Sequence, residues 1–591
     1  MLGPMRRGGR LREETQVDAG GRFALGRLHL GVLQPDPQLD TSGPIRTLFH
    51  GELDNEKELR RRLVDGESPP PPAGSAALVA ALYRAEGAGF AAALRGSFCT
   101  AVLDEAGGRL VLASDLTGSY PLYWSEGPDR LAFAGEQRAL MRGPTAGRTL
   151  DPRALGDYLG CGFVLGDKTL AKGVRLLPPS STLTYSLDEG RVEISRYADP
   201  RRLFDPFVGP WEEQALRVRE AFARAVRRAF AGEHRLAVSL SGGLDTRAIL
   251  SMTPHPTRVL SYTLGARGCA DHAIGRKIAH LLGLQHRIIE LDGDYLGDYI
   301  PNLERMVSLT DGLYLSHGLT EMLALDFLEE ADSAILVRGH GGELAKADLA
   351  WPFHTDAAVH SVRSRDDLVS LLLRRFDFMP RGVELRDLLS EEWHELIDGG
   401  ARRSLEESLA NAPDAPADAC AYLYLVEGHR RSTIASLELF RNRVEIRMPF
   451  LDQEFLTELF RVPASFREGC RIHRAIIRAG HPALGRIRNS NTGAPATAAP
   501  WLEALLSPVN EALKRLNVHG YRHYHSFKRW MRETLLEATA KTLLAPDVLS
   551  RGIFRAEAVR GLVDEARRGR TVGGHLFQIL LTLELWQREN L

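Results

Sequence analysis

The chain divides according to the period of its apolar positions. Over the first third, short runs alternate apolar with polar residues and end at turn signals: 23–33, 45–53, 97–115, 120–124 and 129–135. Period two over such lengths predicts half-buried strands. Within the third run, Asp104-Glu105-Ala106-Gly107-Gly108 predicts a hairpin. Helical spacing in Asn55–Val64 and Ala76–Glu86 predicts two helices, joined by a loop over GESPPPPAG, 66–74. This mixture predicts a β-rich α+β sandwich over residues 1–200.

The pattern changes at 197–210, where three prolines and no steady period predict a linker. Beyond it, 211–230 has apolar residues at helical spacing: Ala215, Val218, Ala221, Phe222, Val226 and Phe230. Strand signals at 234–240, 258–265, 286–291 and 333–343 alternate with helical signals at 245–250 and 270–284. That order predicts a parallel sheet wrapped by helices, and from about Leu368 onward the pattern is mostly helical. The expected fold is a two-domain α/β protein. Its second domain, 201–591, joins a parallel-sheet α/β unit to a large helical part.

Bulk composition removes several function classes. The net charge is −1 over 591 residues, which gives no general affinity for nucleic acid or anionic membrane. No apolar run is long enough to span a bilayer, and the first residues lack the apolar core of a secretory signal. Five scattered cysteines give neither a disulfide framework nor paired zinc-ligand spacing. A cytoplasmic protein is expected.

The candidate chemistry sits where the strand at 234–240 hands over to a helix, in Leu240-Ser241-Gly242-Gly243-Leu244-Asp245-Thr246. In open parallel sheets, ligands gather at the C-terminal strand ends. Glycines there let backbone N–H groups point outward, and the next helix offers its free N–H groups to an anion. Ser241, Gly242 and Gly243 suit a polyphosphate cradle, with Thr246 as a further donor. Asp245 would repel phosphate unless a cation lay between, which makes it a candidate Mg²⁺ ligand. On these residues alone, an ordinary strand–turn–helix corner is an equal reading, and the lysine of a Walker motif is missing.

LSGGLDT resembles the pyrophosphate loop of N-type ATP pyrophosphatases, and more narrowly that of the asparagine synthetase class, with its β-lactam synthetases and lasso-peptide cyclases. RGHGGELAKA, 338–347, resembles the second loop of that class. There Gly339 and Gly341 match, and Glu343 stands at the second metal-binding acid. His340 stands at a position tied to catalysis, where it would orient or deprotonate an amine. VEIRMPFLD, 444–452, resembles the class signature. In it, Phe450 and Leu451 are expected in the core. Glu445 and Arg447 are expected to pair and shape an acceptor pocket. In the tail at 471–495, Arg488 is the nearest candidate for the lysine that neutralises developing charge. The resemblance further implies ATP as substrate, adenine held by backbone around Leu240 and Leu264, and metal on Asp245 and Glu343.

The first domain resembles the class's N-terminal-nucleophile glutaminase. GRLHL, FHGELDN, SDLTGSYPLYW and FAGEQRALM match its strands. Arg27, Gly51, Glu52 and Asp115 fall at glutamine-binding positions, and His50 replaces an oxyanion-hole asparagine. Residue 2 is leucine, and no cysteine precedes Cys99. A vestigial glutamine site is therefore expected, unless an upstream start restores a cysteine. Three functions remain open. The first is a specialised synthetase that adenylates a small-molecule or peptide carboxylate and joins it to an amine, working with a biosynthetic partner or precursor peptide. The second is an asparagine synthetase using ammonia or glutamine. The third is a nucleotide-binding scaffold. The resemblance also implies a homodimer.

Overall fold

A computed structural model of the protein describes all residues except 7–9, 34–36, 42, 66–72, 292, 381, 526 and 571–573. Most of the predicted proline loop at 66–74 lies outside the described residues. The flanking helices are present as Glu56–Asp65 and Ser75–Glu86.

The first domain is built from β1 (Arg12–Val17), β2 (Ala24–His29), β3 (Leu39–Asp40), β4 (Ile45–Leu53), β5 (Gly96–Asp104), β6 (Arg109–Ser114), β7 (Tyr123–Gly127), β8 (Arg130–Ala134), β9 (Arg175–Leu176), β10 (Ser181–Ser186) and β11 (Val192–Arg196). They form a six-stranded antiparallel sheet ordered β11-β10-β6-β5-β4-β3, a three-stranded sheet β8-β7-β9 and the ribbon β1-β2. The predicted hairpin closes between β5 and β6, with Asp104 opposite Arg109 and Gly108 at φ +64°. Sequence pattern misses β1, whose Arg-Glu-Glu-Thr-Gln-Val run has little apolar alternation. The predicted strand at 120–124 reaches the sheet only at Tyr123. Pro121 lacks the N–H a ladder needs.

The second domain contains one parallel sheet made of β12 (Leu236–Ser239), β13 (Val259–Ala266), β14 (Gln285–Leu291), β15 (Ile335–Val337) and β16 (Glu445–Arg447), in the order β14-β13-β12-β15-β16. The first four match the predicted strands. The fifth was legible only as part of a motif, because three residues carry no period. The order runs outward one way through β13 and β14, then the other way through β15 and β16, so it reverses between β12 and β15. That reversal opens a crevice at the carboxyl ends of these two strands.

The helix Trp211–Ala229 buries Val218, Ala221, Phe222, Ala225 and Val226. Its Phe222 meets Phe450 and Phe455, with ring centroids 4.6 and 5.0 Å away, so Phe450 and Leu451 are core residues as expected. A continuous helical run from Pro416 to Arg441 has a π-helical middle, Tyr424–Thr433. This run supplies Tyr424 and Ser436 to the crevice.

Candidate active site

Both glycine loops emerge at the crevice and pack face to face. The Leu240 N–H extends the β12–β13 ladder to the Tyr262 carbonyl, 2.7 Å, and its own carbonyl accepts from Thr263 Oγ1 at 2.5 Å. Leu264 lies two residues beyond the last β12–β13 pair, Ser239–Tyr262, on the half-buried end of β13. After Ser241-Gly242-Gly243 the helix Asp245–Met252 begins, with Asp245 in its first turn. The second loop needs its glycines for close approach. A Cβ on Gly339 would fall 2.7 Å from Asp245 Cβ, and one on Gly342 would fall 2.2 Å from Asp245 Oδ1. Gly341 holds φ +85° against Leu451.

Asp245 is the hub. Its Oδ2 accepts from Lys346 Nζ at 2.8 Å and its Oδ1 from His473 Nε2 at 2.8 Å. Burial alone would raise its pKa. Lys346 and His473 outweigh that and hold the carboxyl below the ordinary range. Glu343 lies nearby, with Tyr424 Oη donating to its Oε2 at 3.5 Å. Burial pushes Glu343 upward, partly offset by Lys346. Burial would lower Lys346, but Asp245 and Glu343 prevail and keep it charged. No group of three or more metal-ligating side chains occurs among the described residues. Mg²⁺ commonly binds through one or two carboxylates with phosphate and water completing the shell. The Asp245–Glu343 pair with a cation already beside it fits that pattern.

The loop amides are partly engaged. The Gly242 N–H donates to Asp271 Oδ1 at 3.1 Å, and the Gly243 N–H to Ser241 Oγ at 3.2 Å. Thr246 turns inward, its hydroxyl donating to the Ser239 carbonyl at 2.8 Å, so it does not serve the loop as the expected donor.

His340 is half-buried in the crevice. Its Nδ1 accepts from Arg338 Nε at 3.3 Å, and Nε2 meets Ser436 Oγ at 3.1 Å. Ser436 donates onward to the Thr433 carbonyl, 2.7 Å, so these partners assign the proton to Nε2. No ring lone pair is left to take a proton. Burial, then the Arg338 charge, pushes its pKa well below neutrality. The expected base role fails in this arrangement, whereas an orienting role fits. Arg338 is itself fixed by Glu321 at 3.2 and 3.3 Å.

Two expected members lie elsewhere. The Arg488 guanidinium bonds the Gly520 carbonyl and stacks 3.9 Å above the Tyr521 ring. The adjacent Ser490 closes over the first loop, its N–H donating to the Gly242 carbonyl at 3.1 Å. Arg488 therefore braces the loop's cover. Glu445 does not pair with Arg447. Instead Arg447 takes Glu52 of the first domain at 2.7 and 2.9 Å, together with the carbonyls of Ala229 and Ala231. Glu445 faces a cavity of about 510 Å³ between the domains, lined also by Arg27, His50, Cys99, Tyr120 and Arg441.

Of the expected glutamine positions, Arg27 and His50 line that cavity. Arg27 is occupied by Glu14 of β1 at 3.1 Å and by His50 Nδ1 at 3.2 Å. Burial, then Arg27, keeps His50 neutral. Asp115 accepts from the N–H groups of Phe98, Thr117 and Ser119 and from both hydroxyls of its own turn, so its carboxylate is structural. Gly51, at φ +122°, lies against the Ser97 carbonyl and admits no side chain. Burial pushes the Cys99 thiol up to about 12, which makes it inert as a nucleophile.

Sequence reasoning missed Lys346, His473, Asp271, Tyr424 and Ser436. Lys346 lay in the second loop and His473 in the 471–495 tail, but their spacing from Asp245 gave no cue.

Comparison with known families agrees with this geometry. A glutamine amidotransferase domain model matches residues 9–198, and an asparagine synthase model matches residues 217–481. A putative glutamine-hydrolyzing asparagine synthetase of Methanocaldococcus jannaschii is 23% identical over 399 residues, covering 64% of this chain and 70% of that protein. The amidase chry2 of Gibberella zeae is 26% identical over 321 residues, covering 47% and 46%. The carboxyethyl-arginine beta-lactam-synthase of Streptomyces clavuligerus is 28% identical over 287 residues, covering 47% and 49%. The chain thus spans about half the length of the latter two relatives. With its amidotransferase-type first domain, its asparagine synthase domain and the paired glycine loops at the sheet's reversal, the chain belongs to the asparagine synthetase class of ATP-dependent C–N ligases.

Proposed function

We propose that this protein adenylates a carboxylate with ATP, releases pyrophosphate, and joins the acyl group to an amine that does not come from glutamine hydrolysis in its own first domain. The observation that carries the synthetase half of this reading is the packing of the second loop's Gly339 and Gly342 onto Asp245. That contact brings two acids and a lysine to the mouth of the first loop. Mg²⁺ held by Asp245 and Glu343 would screen polyphosphate charge. Ser241, Gly242 and Gly243 would cradle the pyrophosphate, with Gly242 exchanging Asp271 for a phosphate oxygen. The β13 end at Leu264 and the backbone of Leu240 would border adenine. His340, fixed between Arg338 and Ser436, would orient the incoming amine by its ring edge.

The loss of glutamine chemistry rests on Arg27 and Asp115. Both are saturated by protein partners, and the nearest thiol is buried and protonated. A specialised amide-forming synthetase, acting on a small molecule or a precursor peptide, fits best. A nucleotide-binding scaffold is favoured by one observation: both Asp245 oxygens and the Gly242 N–H already have protein partners.

The test is Mg·ATP binding and ATP–pyrophosphate exchange by wild type and Asp245→Ala, across aspartate, other amino acids and ammonium. Wild type is expected to bind Mg·ATP, the variant at least about tenfold more weakly, and aspartate to support no exchange. Exchange with aspartate and asparagine formation from ammonium would replace the specialised reading with asparagine synthesis. Absence of Mg·ATP binding would exclude the synthetase and the nucleotide-binding scaffold alike.

A further inference from the structure

Lys346 stands at the centre of the candidate site without a role in the sequence reading. It follows the short turn Gly342–Ala345, and its backbone N–H closes that turn on the Glu343 carbonyl at 3.0 Å. Its side chain runs back into the crevice and places the ammonium 2.8 Å from Asp245 Oδ2. The ammonium side chain is only 12% exposed. Asp245 and Glu343 both act on it, and the Cys470 thiol and His473 complete its surroundings.

Two acids this close repel each other unless a cation lies between them. In this structure that cation belongs to the protein. His473 meets the other oxygen, its Nε2 2.8 Å from Asp245 Oδ1, which leaves the Oδ2 side to the Lys346 ammonium. Lys346 therefore neutralises the position that a divalent ion would take. A lysine is suited to leave such a position. Its ammonium is a point charge on a flexible four-carbon stem, with no fixed fork of donors to hold it to one partner.

Building on the nucleotide-binding reading above, we infer that Lys346 is a resident counter-cation, holding the metal position while the site is empty and moving onto the polyphosphate when nucleotide enters. Two consequences follow. Divalent metal and nucleotide bind together, because the metal site opens only when the phosphate draws the lysine away. The same ammonium then faces the developing charge on pyrophosphate. This is the place left open by Arg488, whose guanidinium is committed to Gly520 and Tyr521. Lys346 thus touches the departing group without any covalent step of its own.

The experiment measures Mn²⁺ binding by electron paramagnetic resonance, with and without pyrophosphate, for wild type, Lys346→Met and Lys346→Arg. Pyrophosphate affinity is measured in parallel by calorimetry. Wild type is expected to bind Mn²⁺ at least about tenfold more tightly when pyrophosphate is present. Lys346→Met should bind Mn²⁺ alone at least about tenfold more tightly than wild type, and pyrophosphate at least about tenfold more weakly. Lys346→Arg should keep Mn²⁺ out as wild type does, which tests the idea even if the methionine variant folds poorly. Equal Mn²⁺ affinity of wild type and a folded methionine variant, or unchanged pyrophosphate affinity, would overturn the inference. So would tight Mn²⁺ binding by the arginine variant. If wild type binds no Mg·ATP at all, the proposed function fails. The Mn²⁺ comparison without phosphate still reports whether Lys346 guards the cation position.

Discussion

At the residue scale, burial decides what the titratable groups can do. Glu445 has its carboxyl pushed up to about 7, by burial first, with Arg27 and Arg441 opposing. The folded protein keeps a proton there that the unfolded chain releases near pH 4.5. The folded form therefore binds more protons between these values, and stability falls as pH rises through that window. Glu445→Gln is expected to raise the unfolding free energy more at pH 8 than at pH 5, by an amount on the order of 2 kcal/mol in urea unfolding. Equal gains at both pH values would refute the assignment. Arg338 gives the opposite case. It spans Glu321, Tyr262 and His340 from a fully enclosed position. Arg338→Ala leaves Glu321 without its charge partner and should cost about 3–5 kcal/mol in urea unfolding. His340 shows where a residue type misleads: a histidine near neutral pH reads as a base, and only its two ring partners reveal otherwise.

At the element scale, much of the candidate site was legible. Leu240–Thr246 was legible only with the second loop and the class signature beside it, because glycines and an acid at a strand end also suit an ordinary corner. The second loop was legible from Gly339 and Gly341. The packing of one loop on the other was not, because it depends on Gly342 and Asp245 meeting across 96 intervening positions of sequence. Gly342→Ala tests that contact. Its methyl would meet Asp245 Oδ1 at 2.2 Å, so the loops must part. Mg·ATP affinity should fall at least about tenfold, with a melting midpoint within a few degrees of wild type. An unchanged affinity would mean that the two loops act separately. Long-range partners such as Lys346 and His473 stayed hidden for the same reason: periodicity reports the face of an element, not what a distant turn brings to it. Strand β1 was hidden differently, because its polar run pairs with β2 along a largely exposed ribbon.

At the scale of the whole molecule, Arg447 is the clasp between domains. It bonds Glu52 on one side and the end of the helix Trp211–Ala229 on the other. Arg447→Ala is expected to split a single calorimetric unfolding transition into two, while Arg447→Lys preserves part of the coupling. One unsplit transition in the alanine variant would show that other contacts hold the domains together. Charge balance and the absence of a helix long and apolar enough to cross a membrane agree with the composition reading, among the described residues. The domain order followed from the change in period near residue 200. The interdomain cavity did not, because its walls come from both halves of the chain.

Strand β16 occupies the outer position of the parallel sheet, with β15 on one side and the first domain across its other flank. A bare sheet margin is a template for adding foreign strands. A half-chain beginning at Trp211 would leave that margin uncovered, directly beside β15, the second loop's own strand. The amidotransferase-type domain thus has a second use apart from any chemistry of its own, as a cover over an edge that would otherwise invite polymerisation.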